Sequence, residues 1–403
     1  MDAAITGNQV ARRGFALTVL SAHVLLVAAL GGYYAKLKLP IGLYPTEVVV
    51  IACAIFGLSS IADLRLDRMS RLVVAFVAIG TAWVVIGGLG GMQGAGAKAF
   101  SFFVYSIFYF VIRAQARSEE ARRFILNLFA IAAFGGVALG LWEIEFGEGF
   151  PTSTGSLRWL SGEFSIYCLF AAMVAAVPAI LRRKLDARSG VVLGAAVAEL
   201  ILAQHRSAFV AFGVALGATA GLLAGSAQAL RGVFKVLALA VAGVLAFTVL
   251  WGSGYIDETM RRISETTDFS DGTVAWRLLS WYEVGSGVLD APWGHGFAHW
   301  DFTFNYSDPL LGSHNAFLDL TYRIGVEGVL VLLAMPVSLI VRARRLVQRD
   351  GVQRHIQLVT ACACLLSFVV FASFNMALEA PYMSIMFWVA LGVGAGALEE
   401  ASP

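Results

Sequence analysis

The stretch EFSIYCLFAAMVAAVPAILRRK, Glu163 to Lys184, decides how the chain is read. Phe164 to Leu181 holds no charged residue, and a helix crossing the hydrocarbon of a bilayer needs about 20 mostly apolar residues. The run then stops on Arg182, Arg183 and Lys184. An apolar run closed by a basic cluster marks a membrane helix emerging on the cytoplasmic side. At the other end Glu163 meets the helix N-terminus, where a negative charge is favoured.

The same pattern recurs outward from this stretch. Apolar runs fall at 14–34, 42–61, 71–90, 97–114, 123–145, 163–181, 190–204, 206–225, 233–251, 315–341, 355–374 and 381–398. Over the whole chain of 403 residues, 59% are hydrophobic and 14% charged, with a mean hydropathy of +0.77. A soluble domain is about 45–50% apolar, so an ordinary soluble enzyme is excluded. A disordered chain and a basic nucleic-acid-binding protein are excluded too. The expected fold class is all-α, a polytopic membrane helix bundle of about 12 transmembrane helices. A large periplasmic loop is expected between helices 9 and 10. The expected divisions are 1–251 (helices 1–9), 252–314 (the loop, with amphipathic helices) and 315–403 (helices 10–12). The seventh and eighth runs, parted only by Gln204-His205-Arg206, are read as a helical hairpin. The first run follows Arg12 and Arg13 without a small-residue cleavage site, so it reads as an uncleaved span. Cys53, Cys168, Cys362 and Cys364 all lie inside apolar runs, which argues against a disulfide framework or a metal site.

The net charge of +2 conceals a sorting of charge by side. With the N-terminus inside, the outer segments hold nine of the 29 Lys and Arg residues: Lys36, Lys38, Lys98, Arg158, Arg206, Arg261, Arg262, Arg277 and Arg323. The other twenty fall inside. That asymmetry places both termini in the cytoplasm. The connection 252–314 then lies outside, and it is too long to be a structureless link. Within it, Val274–Leu289 carries Leu278, Trp281, Tyr282 and Leu289 at helical spacing, which predicts an amphipathic helix. Pro292-Trp293-Gly294-His295-Gly296-Phe297 reads as a tight turn.

Three outer residues stand where chemistry is expected. Arg206 sits between two spans, at a depth where an arginine costs about 2.5 kcal/mol or more and so usually has a role or a partner. Arg277 begins the amphipathic helix, and His314 stands where the tenth span enters the membrane. Two guanidiniums and an imidazole at a lipid–water boundary suit a diphosphate, because arginine forks match phosphate oxygens and stay charged. Helix starts at Ser207 and Asn315 add backbone N–H donors. His314 is placed to take a proton from an attacking hydroxyl or to contact phosphate.

The ordered set is Arg206-Ser207-Ala208 after an apolar span, then Trp276-Arg277 with Trp281 in a long outer loop, then Pro292–Phe297. Ser313-His314-Asn315-Ala316-Phe317-Leu318-Asp319-Leu320 and Gly325-Val326-Glu327-Gly328 complete it. It resembles the bacterial O-antigen ligase and polymerase superfamily over roughly residues 160–335. The resemblance implies a GT-C-type, metal-independent, inverting glycosyltransferase of the inner membrane with no cofactor. Such enzymes move a glycan from an undecaprenyl diphosphate donor to a glycan or lipid A core acceptor at the periplasmic face. It further implies that Arg206 and Arg277 hold the diphosphate and that His314 serves as base or orients the acceptor. His205 departs from the small residue that many relatives carry before the arginine.

Around these catalytic candidates, Arg158, His205, Trp276, Trp281, His295, Asn315 and Arg323 are expected to bind substrate. His299, Arg261, Arg262, Glu163, Asp319 and Glu199 are secondary candidates, and His23 reads as a packed histidine. Arg158-Trp159-Leu160-Ser161-Gly162-Glu163 looks more like the polymerase members, which extend O antigen or exopolysaccharide, than the ligases, which charge lipid A core. A transporter or a lipid-linked oligosaccharide flippase is the rival from another class. Ala62-Asp63-Leu64-Arg65-Leu66-Asp67-Arg68 faintly resembles a facilitator-type transporter loop. A transporter, however, gathers substrate groups near the bilayer midplane, whereas these cations gather at the outer edge.

Overall fold

A helix lies on each of the twelve apolar runs in the computed structural model. It describes residues 2–31, 33–34, 37–39, 44–61, 66–89, 102–147, 150–151, 157–158, 160, 162–203, 205–224, 227–251, 272–297, 313–375, 377–378 and 380–401. In chain order the helices are α1 (Asp2–Leu30), α2 (Pro45–Ile61), α3 (Arg68–Leu89), α4 (Ile107–Gln115), α5 (Glu119–Phe146), α6 (Ser165–Arg182) and α7 (Ala187–Ala203). They continue as α8 (Arg206–Ala218), α9 (Ala227–Trp251), α10 (Gly272–Asp290), α11 (Ala316–Asp350), α12 (Ile356–Ala372) and α13 (Pro381–Ala401). The only strands among the described residues are a two-residue antiparallel pair, Phe150–Pro151 with Leu157–Arg158. The stretch 252–271 and residues 298–312 fall outside the described residues, and with them Arg261, Arg262 and His299.

Among the described residues six helices are long and apolar enough to cross a membrane, those at Arg68–Ile86, Glu119–Phe146, Ser165–Arg182, Ala316–Asp350, Val352–Ala372 and Pro381–Ala401. The chain is a multi-pass membrane protein. α6, α12 and α13 form the buried centre, and α13 is enclosed by α4, α11 and α12. One end of this centre is fastened by ions. Arg113, 1% exposed, donates to Asp67 Oδ1 at 2.8 Å and to Glu399 Oε1 at 2.8 Å. Arg117 joins Glu399 at 3.1 Å, and Arg122 pairs with Glu400. Arg113, Arg117 and Arg122 are therefore clamps between the start of α3, α4, α5 and α13.

Two expectations need correction. α7 and α8 do not pack as a hairpin: α7 lies against α5 and α6, while α8 lies against α12. The bonds that draw α8 away from α7 are described below. The tenth run is also not one continuous helix, because α11 breaks at Gly325 (φ 81°, ψ 168°). The break is filled by the Pro292–Phe297 turn. His295 N–H donates to Tyr322 O at 2.7 Å and Gly296 N–H to Arg323 O at 2.8 Å, while Val326 N–H donates to Pro292 O at 2.8 Å. Carbonyls and an amide orphaned by the break are thus paired with the turn, as buried backbone groups must be. Gly294 (φ 110°) and Gly325 meet backbone to backbone, and a methyl on either would strike the other segment.

Gly325→Ala is expected to cost about 1–3 kcal/mol through its left-handed φ and the clash with Trp293, and to lower the melting temperature of the detergent-purified protein by several degrees. Gly213→Ala, on α8 where a methyl meets nothing within 4 Å, should cause no loss. Equal melting of the two variants would show that the docked turn does not hold the break.

Candidate active site

α8 starts at Arg206. His205 precedes it in extended backbone (φ −103°, ψ 102°), its Nδ1 lying 3.0 Å from Ser207 Oγ and its ring against Phe371. Ser207 Oγ accepts a hydrogen bond from Asn375 Nδ2 at 2.7 Å, and the same nitrogen reaches Phe371 O at 2.9 Å. The carbonyl of Asn375 accepts from the backbone N–H of Ala316, the first residue of α11, at 3.1 Å. One buried asparagine, just past the end of α12, therefore ties the start of α8 to the start of α11. That tie sets the helix start that carries Arg206 beside the one that His314 precedes.

His314 sits at φ 55°, a left-handed conformation that a non-glycine residue adopts only when its surroundings enforce it. Both neighbours are fixed. Ser313 N–H donates to Asp319 Oδ1 at 3.1 Å, and Asn315 N–H donates to Ser313 Oγ at 3.2 Å. The Asn315 side chain caps α11, its Oδ1 accepting from Phe317 and Leu318 N–H at 3.1 Å each. On the other side Trp281 Nε1 donates to Ser313 O at 2.8 Å. Arg277 lies one turn earlier on α10, so that bond seats the turn carrying Arg277 against the loop carrying His314. Burial, and then the positive charge of Arg277, lower the His314 imidazole to about 4. It is neutral at neutral pH, beside a guanidinium and with Arg206 at the adjoining helix start.

The structure distributes the remaining candidates differently. His295 Nε2 donates to Gly287 O at 2.8 Å and the ring stacks on Tyr322 with centroids 4.2 Å apart, fastening the end of α10 to α11. Arg323, 6% exposed, lies with its guanidinium 5.4 Å from the Phe102 ring and 5.9 Å from the Phe297 ring. Asn315, Trp281 and His295, expected to contact substrate, also hold the scaffold through these bonds. Arg158 lies in the short strand pair and Trp276 on α10, with side chains outside the description, as is that of Glu163. Asp319 holds Ser313, and Glu199 is fully buried between α5, α6 and α7. His23 is packed as expected, 2.9 Å from Tyr34 Oη. The predicted apolar face of α10 is also corrected. Ser280 and Val284 are buried, whereas Leu278, Tyr282 and Leu289 are exposed. The helix is held by small contacts and by Trp281, and its leucines look away from the bundle. Asn375 had no place in the sequence reading. Its signal was a lone amide at the end of an apolar run.

Among the described residues no group of three His, Cys, Asp or Glu side chains is placed to hold a metal ion. Residues 189–333 match the family model described as O-antigen ligase. That match supports the resemblance to the O-antigen ligase/polymerase superfamily. The matched segment runs from the first turn of α7 to just past the Gly325 break. It contains Arg206, Arg277 and His314, while Asn375 lies outside it. No curated protein matches the chain significantly.

Asn375→Ala should cost about 1–3 kcal/mol by leaving Ser207 without its buried donor. Amide exchange should rise in 205–208, whose side-chain bond is lost, and less in 313–317, because the backbone carbonyl of residue 375 still accepts from Ala316. Ser367→Ala, which removes a bond local to α12, should leave both unchanged. Unchanged exchange in 205–208 would contradict the tie.

Proposed function

We propose that the protein is an inner-membrane, metal-independent glycosyltransferase that moves a glycan from undecaprenyl diphosphate to an acceptor sugar hydroxyl at the periplasmic face, polymerising O antigen or exopolysaccharide. The observation that carries this is the convergence of Arg206, Arg277 and His314 at two adjoining helix starts. The chain crosses the membrane twelve times with both termini in the cytoplasm, which puts those helix starts outside.

In the reaction the acceptor oxygen attacks the anomeric carbon as the bond from that carbon to the diphosphate oxygen breaks. Undecaprenyl diphosphate leaves with the bonding pair. Arg206 and Arg277 bear that charge, since fixed cations aimed at developing charge lower the barrier without reorganising. The hydroxyl proton passes to His314. With its pKa lowered to about 4, the imidazole is unprotonated and ready before the donor arrives. The incoming diphosphate offsets the charge of Arg277 and so raises the basicity of His314 when it is needed. The family description favours a second reading, transfer of the finished glycan to lipid A core by a ligase. The two share a donor and differ in acceptor.

Arg206→Ala, Arg277→Ala and His314→Ala should each lower transfer by about 10²-fold or more while melting close to the parent protein. Parental turnover in the purified variants would contradict these roles. In wild type, kcat/KM should hold steady as pH falls to about 5 and drop only as His314 is protonated near 4. Arg277→Gln should shift that limb to higher pH, because one of the two causes of the low pKa is gone; a limb left near 4 would assign it to another group. Activity should also persist in EDTA, and inhibition reversed by Mg²⁺ would contradict arginine-borne catalysis. Purified protein given only the lipid-linked oligosaccharide should build a ladder of longer lipid-linked products. Transfer only after lipid A core is added would establish the ligase. No product in either assay would leave a flippase or transporter.

A further inference from the structure

At the opposite end of α7 from Arg206, a cavity of about 870 Å³ opens between α5, α6, α7, α12 and α13, within the size range of small-ligand sites. Its mouth and floor differ in chemistry. Exposed Arg182, Arg188 and Arg354 stand at the mouth, and buried Leu126, Ala130 and Val192 line the depth.

The charges at the mouth do not balance. Five arginines and three carboxylates line the cavity, an excess of two positive charges. Two carboxylates are taken by lining arginines, Glu119 by Arg123 and Glu400 by Arg122. The third, Asp186, accepts from Ser189 N–H at 2.7 Å at the start of α7. Arg188 donates to a neutral partner, Asn127 Oδ1, at 3.0 Å. Positive charge therefore accumulates around a hollow rather than spreading over a solvated surface. Ordinary sorting of arginines to the inner face places cations at helix ends, but it does not set them over an apolar shaft.

We propose that this cavity binds the phosphate headgroup of an anionic membrane lipid, with the arginines at the mouth holding the phosphate and the apolar floor receiving the first part of its chain. Basic pockets between membrane helices on the cytoplasmic side recognise such headgroups, and planar guanidiniums pair with phosphate through two parallel hydrogen bonds. Glu119, Arg122 and Gln357 link α5, α12 and α13 around the cavity. A lipid seated there would brace the bundle at the end remote from Arg206 and His314.

The test is lipid retention by the full-length protein in detergent micelles, read by native mass spectrometry, with phosphatidylglycerol and phosphatidylcholine as probes. Wild type should retain phosphatidylglycerol preferentially. The Arg182→Ala/Arg354→Ala variant, altered at exposed positions, should lose about tenfold or more of that retention. Arg231→Ala/Lys235→Ala, at an exposed basic site on α9 outside the cavity, should keep it. Equal retention of the two lipids, or equal loss in both variants, would overturn the proposal in favour of general surface attraction. Inorganic phosphate forms the second arm. If it raises the melting temperature of wild type but not of Arg182→Ala/Arg354→Ala, and phosphatidylglycerol does not, the site takes a soluble phosphate and the lipid assignment is overturned.

Discussion

At Gly325 the backbone leaves the helix, and the groups it frees are buried, where an unpaired backbone polar group is costly. The turn Pro292–Phe297 supplies those bonds, and much else follows from that seating. The turn directly follows α10, so fixing it fixes the helix that carries Arg277. Trp281 completes the attachment at the other side of the helix by bonding Ser313. α10 and the turn after it are thereby held against α11. Catalysis by fixed charge needs such rigidity, because a cation that must be reorganised stabilises little.

The second dependence is on Asn375. Arg206 and His314 are 108 positions apart in the chain, and neither helix start specifies the other. The asparagine joins them with its side chain on Ser207 and its carbonyl on Ala316. α12 therefore acts as a strut, and α8 abandons its sequence neighbour α7 to pack on it. His314 inherits a left-handed backbone from the bonds to Ser313 and Asn315. The same enclosure that strains its backbone lowers its pKa.

The membrane character and the positions of the helices were legible in the sequence because lipid imposes a strict length and polarity on each span. Helix α10 was legible from its period, but its inward face was misjudged. Large apolar residues suggested burial, whereas Ser280 and Val284 are what face the bundle. The break in α11 was hidden because apolar residues continue through Gly325 and satisfy the length rule on both sides. His295, Asn315 and Trp281 stood out as polar or aromatic residues, but their partners, Gly287, the α11 amides and Ser313, are tertiary or capping contacts that spacing alone does not reveal. Arg206, Arg277 and His314 stood out through the cost of placing charge at a membrane edge, whereas the bonds that gather the segments carrying them did not.

Whether Arg206, Arg277 and His314 form one diphosphate site is decided by an experimental structure of the protein with an undecaprenyl diphosphate-linked glycan bound. Both phosphates are expected within hydrogen-bonding distance of Arg206 and Arg277, with His314 beside the anomeric carbon of the glycan. Phosphates found at the bundle midplane, or at the arginine-lined cavity at the opposite end, with none near Arg277, would contradict it.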